Sequence, residues 1–202
     1  MTRIAVLASG RGSNFQAVID RVQDGSIPAD IVRLITDNPF AYAIQRARDA
    51  DIPVEIVDYS TFSDKGEYEK ALLRVMKKCD PDLIILAGYM RILGTSIVES
   101  FSGKMINIHP ALLPSFPGLH AQKQAVEYGV KVSGCTVHFV DELMDHGPII
   151  LQACVPVHEH DDEDALAGRI LQEEHHILPE AVRLFCEGRL LVHDRKVCIL
   201  PP

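Results

Sequence analysis

The chain has 202 residues, 47% of them apolar and 24% charged, which is enough to bury a core and excludes a disordered or fibrous polymer. With 28 acidic against 20 basic residues the net charge is −8, so the surface repels nucleic acid and anionic membranes, and an anionic substrate must be held by a local site. Five scattered cysteines form neither a zinc pattern nor a disulfide framework, the first apolar run is too short for a signal peptide and no stretch approaches membrane-spanning length; a cytoplasmic protein is expected.

Short apolar, β-branched runs at 4–8, 31–36, 53–57, 83–87 and 105–108 predict strands. The amphipathic segments between them, 14–24, 42–49, 64–78 and 95–101, predict helices. This βαβα alternation implies a parallel sheet covered on both faces. Leu83-Ile84-Ile85-Leu86 is apolar at successive positions, as a strand buried on both faces requires. The rhythm breaks after Ile108. Pro110, Pro114, Pro117 and Gly118 mark a loop, and a short helix is expected over 120–128. Two longer β-like runs, 131–140 and 148–157, are joined by a polar turn and predict an antiparallel addition to the sheet. A long helix over 162–187 and a hairpin over 190–199 follow. The fold class expected is α/β: a doubly wound, mainly parallel, Rossmann-like sheet with antiparallel C-terminal additions, in a single domain spanning 1–202.

Ser9-Gly10-Arg11-Gly12-Ser13-Asn14 lies between the first strand and the first helix. Its glycines allow a tight turn whose N–H groups point at an anion, and the helix start adds partial positive charge. Read plainly, the segment is a tight turn in which Ser13 or Asn14 caps the helix. A dinucleotide fingerprint is the other reading, with Asp37 at the end of the second strand as its ribose-binding acid. Against it, Phe15 stands where the third glycine belongs, and no Walker Lys follows. A single phosphate fits better than a pyrophosphate.

Asn107-Ile108-His109-Pro110 ends the fifth strand, where open α/β sheets present their ligand crevice. In extended backbone Asn107 and His109 share one face, and Pro110 disfavours helix at His109. An amide donor beside an imidazole suits a developing oxyanion; a capping Asn and a structural His are the alternative. A carboxylate from Asp141, Glu142 or Asp145 would favour the charged imidazole. His158-Glu159-His160-Asp161-Asp162 holds ligand-type residues, but its acids suit a helix start, and no metal is expected. His138 alternates with Val137 and Phe139 and reads as one face of a strand.

Together these residues resemble the folate-dependent phosphoribosylglycinamide formyltransferase family. The resemblance is carried by Ser9-Gly10-x-Gly12-Ser13-Asn14, Leu86-Ala87-Gly88-Tyr89-Met90-Arg91-Ile92-Leu93 and Asn107-Ile108-His109-Pro110-Ala111-Leu112-Leu113-Pro114. It extends through Pro117-Gly118-Leu119-His120, Val137-His138-Phe139-Val140, Asp145-x-Gly147-Pro148 and Gln172-Glu173-Glu174-His175. The resemblance implies that Asn107, His109 and Asp145 are catalytic, with Asp145 raising the pKa of His109. It implies a substrate phosphate loop at Gly12, Ser13 and Asn14 in the first half, 1–100, and ribonucleotide contacts at Leu171, Gln172, Glu173 and Glu174 in the catalytic half, 101–202. Folate would be lined by Met90, Arg91, Ile92, Leu93, Asn107, Asp141, Glu142, Leu143, Met144 and Asp145, with Lys65 near its tail. His146, beside Asp145, and Arg11, inside the phosphate loop, depart from the family pattern.

The reaction so implied transfers the formyl group of 10-formyltetrahydrofolate, a co-substrate, to the amine of glycinamide ribonucleotide in purine biosynthesis. No metal takes part, and the enzyme is a monomer or homodimer. The Pro-rich loop at 110–118 is a candidate lid against water. A formyltetrahydrofolate hydrolase, a non-catalytic nucleotide-binding module and an NAD-dependent oxidoreductase are the competing readings.

Overall fold

The structure, a computed structural model, describes residues 1–202. It divides into two compact units, Met1–Ile106 and Asn107–Pro202. The first contains β1 (Thr2–Leu7), α1 (Ser13–Gln23), β2 (Ala29–Thr36), α2 (Ala43–Asp49) and β3 (Val54–Ile56). A 3₁₀ turn (Tyr59–Thr61), α3 (Lys65–Cys79), β4 (Leu83–Leu86) and α4 (Thr95–Ser100) follow, and β5 (Met105–His109) ends across the division. β1 pairs in parallel with β2 on one side and β4 on the other, and β2 pairs in parallel with β3. The chain therefore moves outward from β1 through β2 to β3, then returns to the opposite side of β1. Such a reversal opens a crevice at the carboxyl ends of the strands. Ile4, Val6 and Leu7 of the central strand are completely buried, each contributing roughly 1.5–3 kcal/mol.

The second unit holds α5 (Ala121–Tyr128), β6 (Val132–Phe139), β7 (Ile149–Pro156), α6 (Glu163–Cys186), β8 (Leu190–His193) and β9 (Lys196–Ile199). β6 and β7 are antiparallel, as are β8 and β9. The mainly parallel first unit and the antiparallel pairs of the second give the expected fold class. α6 starts where the acidic run predicts: the Asp162 side chain accepts from the Ala165 N–H at 2.8 Å, and Asp161 forms a two-pronged ion pair with Arg169. Asp161 and Asp162 thus serve the helix start.

The β6–β7 hairpin depends on Gly134, because a Cβ there would lie 1.9 Å from the Ala153 carbonyl oxygen and 2.9 Å from Leu112. Gly134→Ala is expected to cost roughly 3 kcal/mol, read from the urea midpoint at constant slope; an unchanged midpoint would contradict this packing.

Candidate active site

The end of β5 brings Asn107 and His109 to one face, and His109 is 4% exposed. Asp145 reaches them from the turn between β6 and β7. That turn can close because Gly147 has no side chain: a Cβ would meet the Phe139 carbonyl at 1.8 Å. Asp145 adopts φ +50°, a left-handed conformation that Asp tolerates better than most residues. Its Oδ2 lies 3.3 Å from His109 Nδ1 and accepts the Gly118 N–H at 2.7 Å. Its Oδ1 accepts from the Asn107 amide at 3.4 Å. The acid that reaches the imidazole is Asp145, while Asp141 binds the Leu143 N–H and His146.

His138, which the strand alternation assigned to a bland position, is a fourth member. Its Nδ1–H donates to the Phe139 carbonyl at 2.8 Å, leaving Nε2 to accept from the Asn107 amide at 3.2 Å. Burial pushes its pKa down from 6.5, reinforced by nearby His109 and opposed by the Phe139 hydrogen bond, Asp145 and Asp141. Alternation along β6 tells which face His138 takes but not that the Asn107 amide meets it there. The sequence signal that existed was its place in the Val137–Val140 segment.

The loop at 110–118 is fastened at both ends. Thr136 Oγ1 donates to the Ala111 carbonyl and accepts the Leu113 N–H, and Gln152 donates to the Leu113 carbonyl. At the far end the Phe116 carbonyl lies 2.8 Å from His109 Nε2. The stretch after Leu113 thus meets the cluster at two points, the Phe116 carbonyl on His109 and the Gly118 N–H on Asp145. In this resting arrangement the Asn107 amide hydrogens and His109 Nε2 all face protein acceptors, so an incoming oxygen must displace the Phe116 carbonyl or the long Asn107–Asp145 contact. His146 points away from the cluster: its Nδ1 is 2.7 Å from Asp141, and Arg195 donates to its ring and its carbonyl.

In the first unit, the turn after β1 is capped differently from the expectation. Neither Ser13 nor Asn14 is the N-cap residue; Gly12 is, at φ +68° and without a side-chain cap. A helix start left without a side-chain cap suits an external anion. The turn is held from outside: Ala43 N–H and Arg46 Nε donate to the Gly10 and Arg11 carbonyls, and Asn38 donates to that of Ser9. A Cβ on Gly12 would lie 2.8 Å from Ala43 Cβ.

The remaining predicted contacts separate. In the first unit Met90 and Ile92 are exposed and Leu93 is half-buried, while Lys65, on the first turn of α3, is half-exposed and pairs with Glu69. Arg91 Nε is bound to Asp37 at 2.7 Å. In the second unit Glu142, Leu143 and Met144 are exposed. On α6 only Glu174 joins the inward stripe of Leu166, Ile170 and Leu178, and it is 7% exposed. Leu171 and Glu173 are half-buried, and Gln172 faces the opposite side, because four successive helical residues cannot share one face. The 350 Å³ cavity bordered by Leu112, Phe116, Tyr128 and Ser133 is lined by none of Asn107, His109, His138 and Asp145.

A strand-end amide and imidazole set against a carboxylate from a separate turn define an acyl-transfer type of centre. The chain belongs to the formyl transferase family, whose pattern matches residues 2–182. It is 39% identical over 98% of its length to the phosphoribosylglycinamide formyltransferase of Escherichia coli, covering 96% of that protein. It is 47% identical to the trifunctional purine biosynthetic protein adenosine-3 of Drosophila melanogaster, of which it spans only 14%. Among solved structures, glycinamide ribonucleotide transformylase 1 from Symbiobacterium toebii shares 48% identity with a TM-score of 0.97, the match covering all of this chain and 95% of that one. A formyltetrahydrofolate deformylase from Pseudomonas syringae shares 30% identity with a TM-score of 0.93, over 99% of this chain and 66% of that one.

The depressed His138 pKa has a consequence for stability. Between its folded value and 6.5 the unfolded chain binds more protons, so stability rises with pH there and is lost as pH falls below 6.5. His138→Gln is expected to flatten this acid-side slope in urea titrations between pH 7 and 5; an unaltered slope would contradict the buried neutral ring.

Proposed function

We propose that the chain transfers the formyl group of 10-formyltetrahydrofolate to the amine of glycinamide ribonucleotide, a cytoplasmic step in purine biosynthesis. The observation that carries this reading is the meeting of Asn107, His109 and Asp145 around one carboxylate, in a chain of the formyl transferase family.

The substrate phosphate binds the uncapped start of α1 at Gly12, Ser13 and Asn14, and Glu174 contacts the ribonucleotide. Met90, Ile92, Leu143 and Met144 supply apolar surface for the pterin, and Arg91 and Lys65 serve the tail carboxylates. The amine attacks the formyl carbon, forming a tetrahedral carbon that bears an oxyanion. The stretch of loop after Leu113 lifts, freeing His109 Nε2 from the Phe116 carbonyl. His109 and Asn107 then donate to the developing oxygen, and Asp145 holds the ring through Nδ1. One proton leaves the attacking nitrogen and one reaches N10 as the C–N10 bond breaks, through His109 or a water. Neutral His138, accepting from Asn107, fixes the direction of the amide. No step needs a metal.

Formyl transfer with purified protein tests this. Asn107→Ala and His109→Ala are each expected to lower kcat by about 10²–10³-fold, as for a lost oxyanion donor. Asp145→Asn should lower it comparably at neutral pH while leaving the melting temperature within a few degrees. Incubation with the folate alone separates the hydrolase reading: formate release as fast as transfer would favour water as acceptor. Unchanged behaviour of all three variants would favour a non-catalytic module.

A further inference from the structure

Asp37 stands at the end of β2, where a dinucleotide-binding protein would hold a ribose. Its side chain is only 4% exposed, and Oδ2 is committed to Arg91 Nε at 2.7 Å, so no ribose can reach that oxygen. Oδ1 is buried without a partner. A buried carboxylate repays its desolvation only through a close, well-placed partner and hydrogen bonds to its remaining lone pairs, and here the ion-pair partner is Arg91.

Arg91 is held at Nε by Asp37 and on one face by an aromatic ring. Its guanidinium carbon lies 3.6 Å from the centre of the Tyr59 ring, so the plane stacks on the aromatic face. Tyr59 is in turn packed edge-on by Tyr68, with centroids 5.0 Å apart. Tyr68 is hydrogen-bonded through its hydroxyl to Tyr89. Burial pushes the Tyr68 hydroxyl up to about 12 and raises that of Tyr89 as well, so both stay protonated and the pair persists. The adjoining backbone is pinned where the Met90 N–H donates to Ser9 Oγ at 2.9 Å. With Nε used and one face covered, the guanidinium retains its two Nη groups, the edge that meets a carboxylate in two-pronged fashion. The side chain remains 38% exposed.

We infer that Asp37 is a positioning residue that presets Arg91 for a carboxylate of the folate tail, with Tyr59 as the platform. The inference rests on the reading of Arg91 as a folate contact given above. A free arginine must be ordered when its ligand arrives, and that entropy is subtracted from affinity. Here Asp37 and Tyr59 do the ordering beforehand. The negative charge of Asp37 lowers the attraction of Arg91 for any anion, so the arrangement trades raw attraction for a fixed geometry that a planar carboxylate matches.

Calorimetric titration of the full chain with tetrahydrofolate and with tetrahydropteroate, which lacks the glutamate, tests this directly. The wild type is expected to prefer tetrahydrofolate. Asp37→Asn keeps the shape of the side chain and is expected to weaken tetrahydrofolate by about five- to twentyfold, leaving tetrahydropteroate within twofold. Tyr59→Leu, at a half-buried position of the 3₁₀ turn, should show a smaller loss with the same selectivity, and it carries the test should Asp37→Asn fold poorly. Once Arg91→Met has removed the guanidinium, adding Asp37→Asn should cost tetrahydrofolate nothing more. Equal weakening of both ligands by Asp37→Asn would mark a merely structural role, and tighter tetrahydrofolate binding would mark Asp37 as a competitor; either overturns the inference. An Arg91→Met protein that keeps the wild-type preference would overturn the assignment of Arg91 and this inference with it. Loss of preference in Arg91→Met but not in Asp37→Asn would overturn the role of Asp37 alone.

Discussion

The contact between the His109 ring and the Asp145 carboxylate is the constraint around which the second unit is arranged. It requires the chain to turn sharply at 140–148, and Gly147 permits that turn because any side chain there would collide with the Phe139 carbonyl. It requires Asp145 to adopt a left-handed backbone conformation, a local strain that the surrounding structure must hold in place. The same carboxylate then receives Gly118 from the loop after β5 and the Asn107 amide from β5 itself. Three segments distant along the chain are thereby tied to a single group.

A polar cluster of this density is stable only when its members satisfy one another. His138, neutral and 2% exposed, accepts from Asn107 and donates to Phe139, so neither ring nitrogen is stranded. The Phe116 carbonyl does the same for His109. The cluster is complete without substrate, and a reacting oxygen must replace an internal partner instead of filling an empty site. The anchored 111–113 segment and the attachments at Phe116 and Gly118 restrict where that replacement can occur.

The central strand and the βαβ rhythm were legible because runs such as Ile4–Leu7 and Leu83–Leu86 are apolar at every position, a pattern that only burial on both faces demands. Asn107 and His109 were legible because a spacing of two in a strand puts side chains on one face. The role of Asp145 as the partner was not separable from Asp141 and Glu142 by spacing alone; it depends on a turn geometry set by contacts to Phe139. His138 was passed over because alternation along its own strand shows which face it takes but not that Asn107, 31 residues away, meets it there. Gly12, not Ser13 or Asn14, is the helix cap, at a positive φ and so close to Ala43 that no side chain fits there. Asp37 was legible only as the ribose acid of a dinucleotide reading that the missing third glycine opposed, because nothing local reveals a partner 54 residues away.

The central claim is that His109 and Asp145 act as one unit on the reacting carbonyl. A double-mutant cycle in single-turnover formyl transfer, using His109→Ala, Asp145→Ala and the double variant, measures it most directly. The account predicts that the double variant is scarcely slower than the worse single variant, because each substitution already disables the unit. Rate losses that multiply, as for two independent groups, would contradict it.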